Sequence, residues 1–250
     1  MTVHFIGAGP GADDLLTLRA VALLGSSQTC LYAGTYVTSD VLAHCPPGAQ
    51  LIDTAHLNLT AIIECAVQAH RRGEDVARLC SGDPSIYSAL AEQTRRLDAA
   101  GVPWDVTPGV PAYAAAAALI GRELTVPGVA QSVVLTRAQQ DSTKMPSTEA
   151  LAGFARTRAT IVLHLAIRHV ERLVTELVPS YGPGCPVVIV ANAEQPNQVV
   201  MRGTLADITQ AVAASGLRQA AVIIVGHALG NANFVESHLY SSREPINTIS

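Results

Sequence analysis

At 250 residues and 26.1 kDa, the chain is long enough for one large α/β domain or two smaller ones. Hydrophobic residues make up 49%, charged ones 14%, and mean hydropathy is +0.29, which excludes intrinsic disorder, a state of low hydrophobicity and high net charge. The net charge of −4 argues against a nucleic-acid backbone as partner, and the longest unbroken apolar run, Ala112 to Ile120, is too short for a bilayer-crossing helix of roughly 20 residues.

Short β-branched runs alternate with longer amphipathic segments. Val3 to Ile6 predicts a strand that enters the glycine turn Gly7 to Gly11, followed by a helix over Asp13 to Leu24 with its acidic residues at the favourable N-terminal end. Thr29 to Tyr32 and Gln50 to Asp53 read as strands. Thr60 to Arg72 reads as a helix capped by Gly73. Val76 to Cys80 predicts a strand, Pro84 to Ala100 a helix closed by Gly101, and Pro103 to Thr107 a strand. Proline at its start and Gly121 at its end mark Pro111 to Ile120 as helical. Gln131 to Thr136 and Thr160 to Leu165 then read as strands, and Arg168 to Val178 as a helix stopped by Pro179. Val187 to Val190 and Gln198 to Met201 are strands, Leu205 to Ala214 a helix ending at Gly216, and Ala221 to Val225 a last strand. This alternation predicts mostly parallel sheets covered on both faces. Thr107 to Pro111 is the expected hinge between an N-terminal α/β domain over 1–110 and a C-terminal α/β domain over 111–250. The polar tail after Asn231 is expected to be loosely held.

Five widely spaced cysteines without a Cys-x-x-Cys, and no charged-then-apolar start, fit thiols in a reducing cytoplasm. Asn58-Leu59-Thr60 matches a glycosylation acceptor, without meaning in a chain that shows no secretion signal. The eight histidines form no metal-ligand spacing, so no metal is expected. High apolar content with few charges points to a covered surface, most simply by self-association.

Three junctions carry the chemistry. Gly7-Ala8-Gly9-Pro10-Gly11-Ala12 fits the G-x-G-x-x-A turn of dinucleotide sites. Pro10, however, removes one donor, and no acidic residue ends the second strand for a ribose, since Tyr32-Ala33-Gly34-Thr35 stands there. Ser81-Gly82-Asp83-Pro84-Ser85-Ile86-Tyr87 follows an apolar strand, where open α/β sheets bind ligands. Gly82 admits close approach to the main chain, and Asp83 serves as a helix cap or a ligand acceptor. Thr107-Pro108-Gly109-Val110-Pro111-Ala112-Tyr113 places small residues at a helix start, suited to close packing or to a flat ligand. Taken singly, each junction also reads as a plain turn or packing element.

In this order the three junctions resemble the signatures of the tetrapyrrole (uroporphyrinogen/precorrin) methyltransferase family. The resemblance runs from Val3 to Arg19, through Leu79 to Tyr87 with Glu92-Gln93, and Thr107 to Val110, then on through Thr160 to Leu165, Pro186 to Asn192 and Ala221 to Leu229. It implies two α/β domains with mostly parallel or mixed sheets and an active site in the cleft between them. It also implies an S-adenosylmethionine-dependent C-methyltransferase acting on a tetrapyrrole in cobalamin biosynthesis. Leu31 to Val37 most resembles the branch that methylates C11 of precorrin-4. The uroporphyrinogen branch tends to carry an aspartate, a proposed base, where Ala33 stands, and its lysine has no counterpart near Ile52 to Ala55, so no catalytic residue is carried over.

The cofactor contacts that the family implies are Pro10, Ser81, Gly82, Asp83, Ile86, Pro111, Ala112, Leu165, Ala193, Gly226, His227 and Ala228. Arg95, Arg122, Arg137 and Arg168 are candidates for substrate carboxylates, which arginine binds in bidentate fashion. The competing expectations are methylation at C17, C20 or C2, a cobalt-bearing precorrin-4 as substrate, a two-lobed ligand-binding protein without catalysis, and a nicotinamide oxidoreductase.

Overall fold

The computed structural model describes residues 1–139 and 144–230, so the tail after Asn231 lies outside the described residues. Two compact units emerge, Met1–Ala116 with Asn192–Gln198, and Ala117–Ala191 with the chain from Val199 onward.

The first unit is built on β1 (Val3–Gly7), β2 (Thr29–Tyr32), β3 (Gln50–Asp53), β4 (Val76–Cys80) and β5 (Trp104–Thr107). They lie in the order β3-β2-β4-β1-β5, and every pairing is parallel. The helices α1 (Leu18–Ser26), α2 (Ser39–Leu42), α3 (Leu59–Arg71) and α4 (Leu90–Ala99) return the chain between strands, as parallel pairing requires. One sheet face packs Val3, Phe5, Leu31 and Val76 against Ile63 and Ala66 of α3 and Leu97 of α4. The other packs Ile6, Cys30, Ala77 and Leu79 against Ala20 and Leu24 of α1 and Val41 of α2. The inner strands β2, β4 and β1 are mostly buried and apolar, whereas the edge strands β3 and β5 are largely exposed.

Local caps shift two of the predicted helices. The first begins at Leu18 because the Thr17 hydroxyl accepts the Ala20 N–H at 3.1 Å, leaving Asp13–Leu15 as a short 3-10 turn. The helix expected over Pro84 to Ala100 forms only from Leu90. Asp83 Oδ1 takes the Ser85 N–H at 2.8 Å, and Tyr87 and Ala89 hold left-handed φ of 54° and 55°, which a helix cannot include. Asn58 is committed as the cap of α3, its side chain accepting the Ala61 N–H at 2.9 Å.

The alanine helix α5 (Ala112–Ile120) follows β5. The second unit then holds β6 (Val133–Arg137), α6 (Leu151–Ala155), β7 (Thr160–His164), α7 (Val170–Tyr181), β8 (Pro186–Ala191), β9 (Val199–Thr204), α8 (Ile208–Ser215) and β10 (Ala221–Val225). Its sheet order is β6-β7-β10-β8-β9, and only β6–β7 is parallel. The mostly parallel sheets that alternation alone predicted are thus corrected for this unit, whose sheet is mixed, as the resemblance allowed. Ile161, Leu163, Ile189 and Ile223 form its core with Leu173 and Leu177 of α7 and Ile208 and Val212 of α8. Helix α7 runs two residues past Pro179. The proline forfeits one bond in the last turn, but Tyr181 beyond it is 2% exposed, and its hydroxyl donates to the Ala159 carbonyl. No helix among the described residues is long and apolar enough to cross a membrane.

Candidate active site

Strands β4, β1 and β5 are adjacent and parallel, so the three junctions singled out in the sequence leave the same edge of one sheet. Their backbones interlock. Ala8 donates to the Cys80 carbonyl at 2.8 Å, and Gly9 and Gly82 exchange N–H···O bonds of 3.2 and 2.8 Å. A Cβ on Gly7 would stand 2.4 Å from the Gly109 nitrogen, and one on Gly109 would stand 2.3 Å from the Gly82 carbonyl oxygen. Glycine is required at both positions because backbone meets backbone. Gly82 adopts φ +67°, and a Cβ there would touch Pro111 and the Ala112 nitrogen at 3.4 Å.

Asp83 braces this arrangement. Its Oδ2 accepts the Gly109 N–H at 2.8 Å, while Oδ1 accepts both the Ser85 N–H and the Ser85 hydroxyl. Partial burial pushes the Asp83 carboxyl up, but the Ser85 hydroxyl and the Gly109 and Ser85 amides outweigh it and hold it below the usual range. Sequence reasoning allowed Asp83 to cap a helix or meet a ligand. In the structure it joins the β4 and β5 loops. Pro10 and Gly11 are buried on the same edge, where the Gln195 amide donates to the Pro10 carbonyl at 3.3 Å and a Cβ on Gly11 would meet the Ala193 carbonyl at 3.0 Å. Pro10, Gly82, Asp83, Pro111, Ala112 and Ala193 therefore share one part of the first unit. Ser81 is exposed and Ile86 half-buried on the loop after β4. Burial lifts the Cys80 thiol below this loop to about 11, so no thiolate forms there at neutral pH.

The remaining expected contacts lie in the second unit. Leu165 follows β7 with φ +52° and is 52% exposed. Gly226, His227 and Ala228 follow β10, which is antiparallel to β7. A Cβ on Gly226 would stand 3.2 Å from Thr160 Cα, at the start of β7. The sheet thus puts Leu165 and Gly226–Ala228 at opposite ends and does not bring them together. It does bring Arg122 to His227 and Ala228, which share the wall of a cavity of about 160 Å³ with Glu123, Pro127 and Val129. The other arginines are dispersed. Arg95 is exposed on α4, Arg137 ends β6 and donates to the Ala138 carbonyl, and Arg168 donates to the Arg218 carbonyl at 2.9 Å. No group of histidine, cysteine or carboxylate side chains among the described residues could hold a metal.

Sequence reasoning missed Arg78, and gave Gln93 no role beyond its place in the resemblance. Arg78 interrupts the apolar strand β4 and donates from Nε to Gln93 Oε1 at 3.0 Å. Gln93, 2% exposed, in turn donates to the carbonyls of Ser88 and Ala89 at 3.0 and 3.3 Å, fixing the loop after β4. A charged residue within a strand otherwise buried on both faces was the available signal.

A sheet edge of interlocked glycines, with an aspartate bracing two loops and no activated nucleophile, suits a ligand recognised by peptide groups rather than covalent catalysis. Residues 2–209 match the family model of Tetrapyrrole (Corrin/Porphyrin) Methylases, and the chain belongs to that family. It is 53% identical over 242 residues to the precorrin-4 C(11)-methyltransferase of Rhodococcus erythropolis, covering 97% of each chain. Among solved structures, a cobalt precorrin-4 methyltransferase of cobalamin biosynthesis superposes with a TM-score of 0.88 at 35% identity, covering 92% of this chain and 96% of that one. A uroporphyrin-III C-methyltransferase of Thermus thermophilus, solved with S-adenosyl homocysteine, gives 0.78 at 26% identity, covering 92% and 99%.

Proposed function

We propose that this protein transfers a methyl group from S-adenosylmethionine to C11 of precorrin-4, giving precorrin-5 in cobalamin biosynthesis. The observation that carries the reading is 53% identity over nearly the whole of a precorrin-4 relative, against 35% for the cobalt-bearing counterpart. That difference favours the metal-free substrate.

The residues at the first sheet edge fit the cofactor. Gly7 and Gly109 pack against each other and the Gly82 carbonyl with no room for a Cβ, and Pro10, Gly82 and Ala112 beside them carry little side chain to obstruct a ligand. The sulfonium of S-adenosylmethionine, when bound, supplies an already activated methyl group, so the chain needs no nucleophile of its own. Its residues orient the reactants and exclude water. Alignment of two bound reactants removes roughly 7–11 kcal/mol of barrier, which makes the rigidity of these loops the main catalytic contribution. Asp83 maintains that rigidity by tying Ser85 to Gly109. Pro10, Ser81, Gly82, Ile86, Pro111, Ala112 and Ala193 are the contacts we assign to the cofactor.

Assembly as a homodimer in the cytoplasm completes this reading. Exposed apolar side chains on edge strands, among them Trp104 and Val106 on β5, support self-association, and light scattering tests it. For the activity, the chain is incubated with ¹³C-methyl S-adenosylmethionine and either precorrin-4 or cobalt-precorrin-4, and the new methyl group is located by carbon NMR. A signal at C11 of precorrin-4 is expected. A methyl group at another carbon, or turnover confined to the cobalt substrate, overturns the proposal.

A further inference from the structure

Arg78 is held at Nε and Nη1 by neutral oxygens. Its Nε reaches Gln93 Oε1 at 3.0 Å, and Nη1 reaches Thr54 Oγ1 at 3.3 Å and the carbonyls of Leu31 and Leu79 at 3.4 Å. No carboxylate among the described residues forms an ion pair with it. None of the four bonds involves Nη2, and the side chain keeps partial exposure. Withdrawing a guanidinium from water without a counterion is costly, and arginine does not escape that cost by losing its proton. A merely structural role in this strand would be met more cheaply by an apolar residue like its neighbours Ala77 and Leu79.

The arrangement suits an external anion. Pinning Nε and Nη1 sets the plane of the fork during folding, so little side-chain entropy remains to be lost when a ligand arrives. Gln93 also grips the carbonyls of Ser88 and Ala89, so the guanidinium is held in fixed relation to the loop that carries Ser81, Gly82 and Asp83. We propose that Arg78 is a substrate-binding residue whose remaining amino edge takes a peripheral carboxylate of the acidic macrocycle. This rests on the reading above, in which the methyl acceptor carries acetate and propionate groups.

The test compares the full-length parent with Arg78→Gln and Arg78→Lys. Three quantities are measured: KM and kcat for precorrin-4, the Kd of S-adenosylhomocysteine by calorimetry, and the Kd of uroporphyrin III by fluorescence. Losing a charged hydrogen bond raises the precorrin-4 KM of Arg78→Gln about 10-fold or more. The uroporphyrin Kd follows it, while the S-adenosylhomocysteine Kd stays within about 2-fold of the parent's. Arg78→Lys restores the charge and recovers part of the loss. The assignment is overturned by an unchanged KM, by cofactor affinity falling in parallel, or by a lysine variant no better than glutamine. Should Arg78→Gln not fold, Arg78→Lys decides alone: weaker uroporphyrin binding at unchanged S-adenosylhomocysteine affinity supports the assignment, and equal uroporphyrin affinity ends it. A parent that fails to methylate precorrin-4 sinks the functional reading. A parent that methylates beside an indifferent Arg78→Gln sinks the carboxylate anchor alone.

Discussion

Replacing Gly109 by alanine inserts one methyl group where three backbones converge. Its Cβ would lie 2.3 Å from the Gly82 carbonyl oxygen and 2.8 Å from the Cα and carbonyl carbon of Gly7. Ordinary contact begins near 3.4 Å, so the β5 loop must retreat by about 1 Å, and none of the three atoms belongs to a flexible side chain. That retreat stretches the 2.8 Å bond from the Gly109 N–H to the Asp83 carboxylate. Overpacking costs about 1–3 kcal/mol and a lost hydrogen bond to a charged group about 1.5–3, so the variant should lose about 2.5–6 kcal/mol. For a chain of this size that corresponds to a Tm lower by about 5–24 °C. Calorimetric melting supplies the measurement, with S-adenosylhomocysteine titration on the same samples. Gly184→Ala is the matched control, since a Cβ there meets nothing within 4 Å. If Gly109→Ala melts together with Gly184→Ala and binds the product equally well, the interlocked-glycine account of this edge is wrong.

Asp83→Asn should cost about 1 kcal/mol or more in urea melts at pH 7. Because folding holds the Asp83 carboxyl below its ordinary range, its contribution is complete above the unfolded value of roughly 3.9 and disappears as pH falls through the lower folded value. The gap between parent and variant should therefore close only in acid, and a gap that shrinks between pH 8 and 6 would point to another group. Gln93→Leu strips the Arg78 Nε and the Ser88 and Ala89 carbonyls of a buried partner. A loss of about 2–4 kcal/mol is expected in the same melts, and a neutral result would mean that the loop after β4 needs no such support. Burial pushes the thiols of Cys80 and Cys185 up to about 11. At pH 8 both should resist alkylation in the native protein and react once it is unfolded, as mass spectrometry of the labelled peptides will show.

The strands were legible without coordinates, because runs such as Val76 to Cys80 and Ala221 to Val225 carry their β-branched and apolar residues locally. So were the three glycine junctions, since a turn that needs positive φ or close approach leaves glycine and proline in the sequence itself. Direction in the second sheet was not legible. Strands β7 and β10, of similar composition, could pair in either direction, and only the packed sheet sets β10 antiparallel to β7, which parts Leu165 from Gly226–Ala228. The loop over Pro84 to Ala89 leaves the helix through the Asp83–Ser85 bond and left-handed φ at Tyr87 and Ala89, and Gly109, 26 residues away, holds the same Asp83 carboxylate. Arg78 likewise acquires meaning from Thr54 and Gln93, which sit on other elements. Hydrophobic period and turn chemistry act between near neighbours along the chain, whereas register, loop bracing and the company of a buried charge arise between segments that only folding brings together.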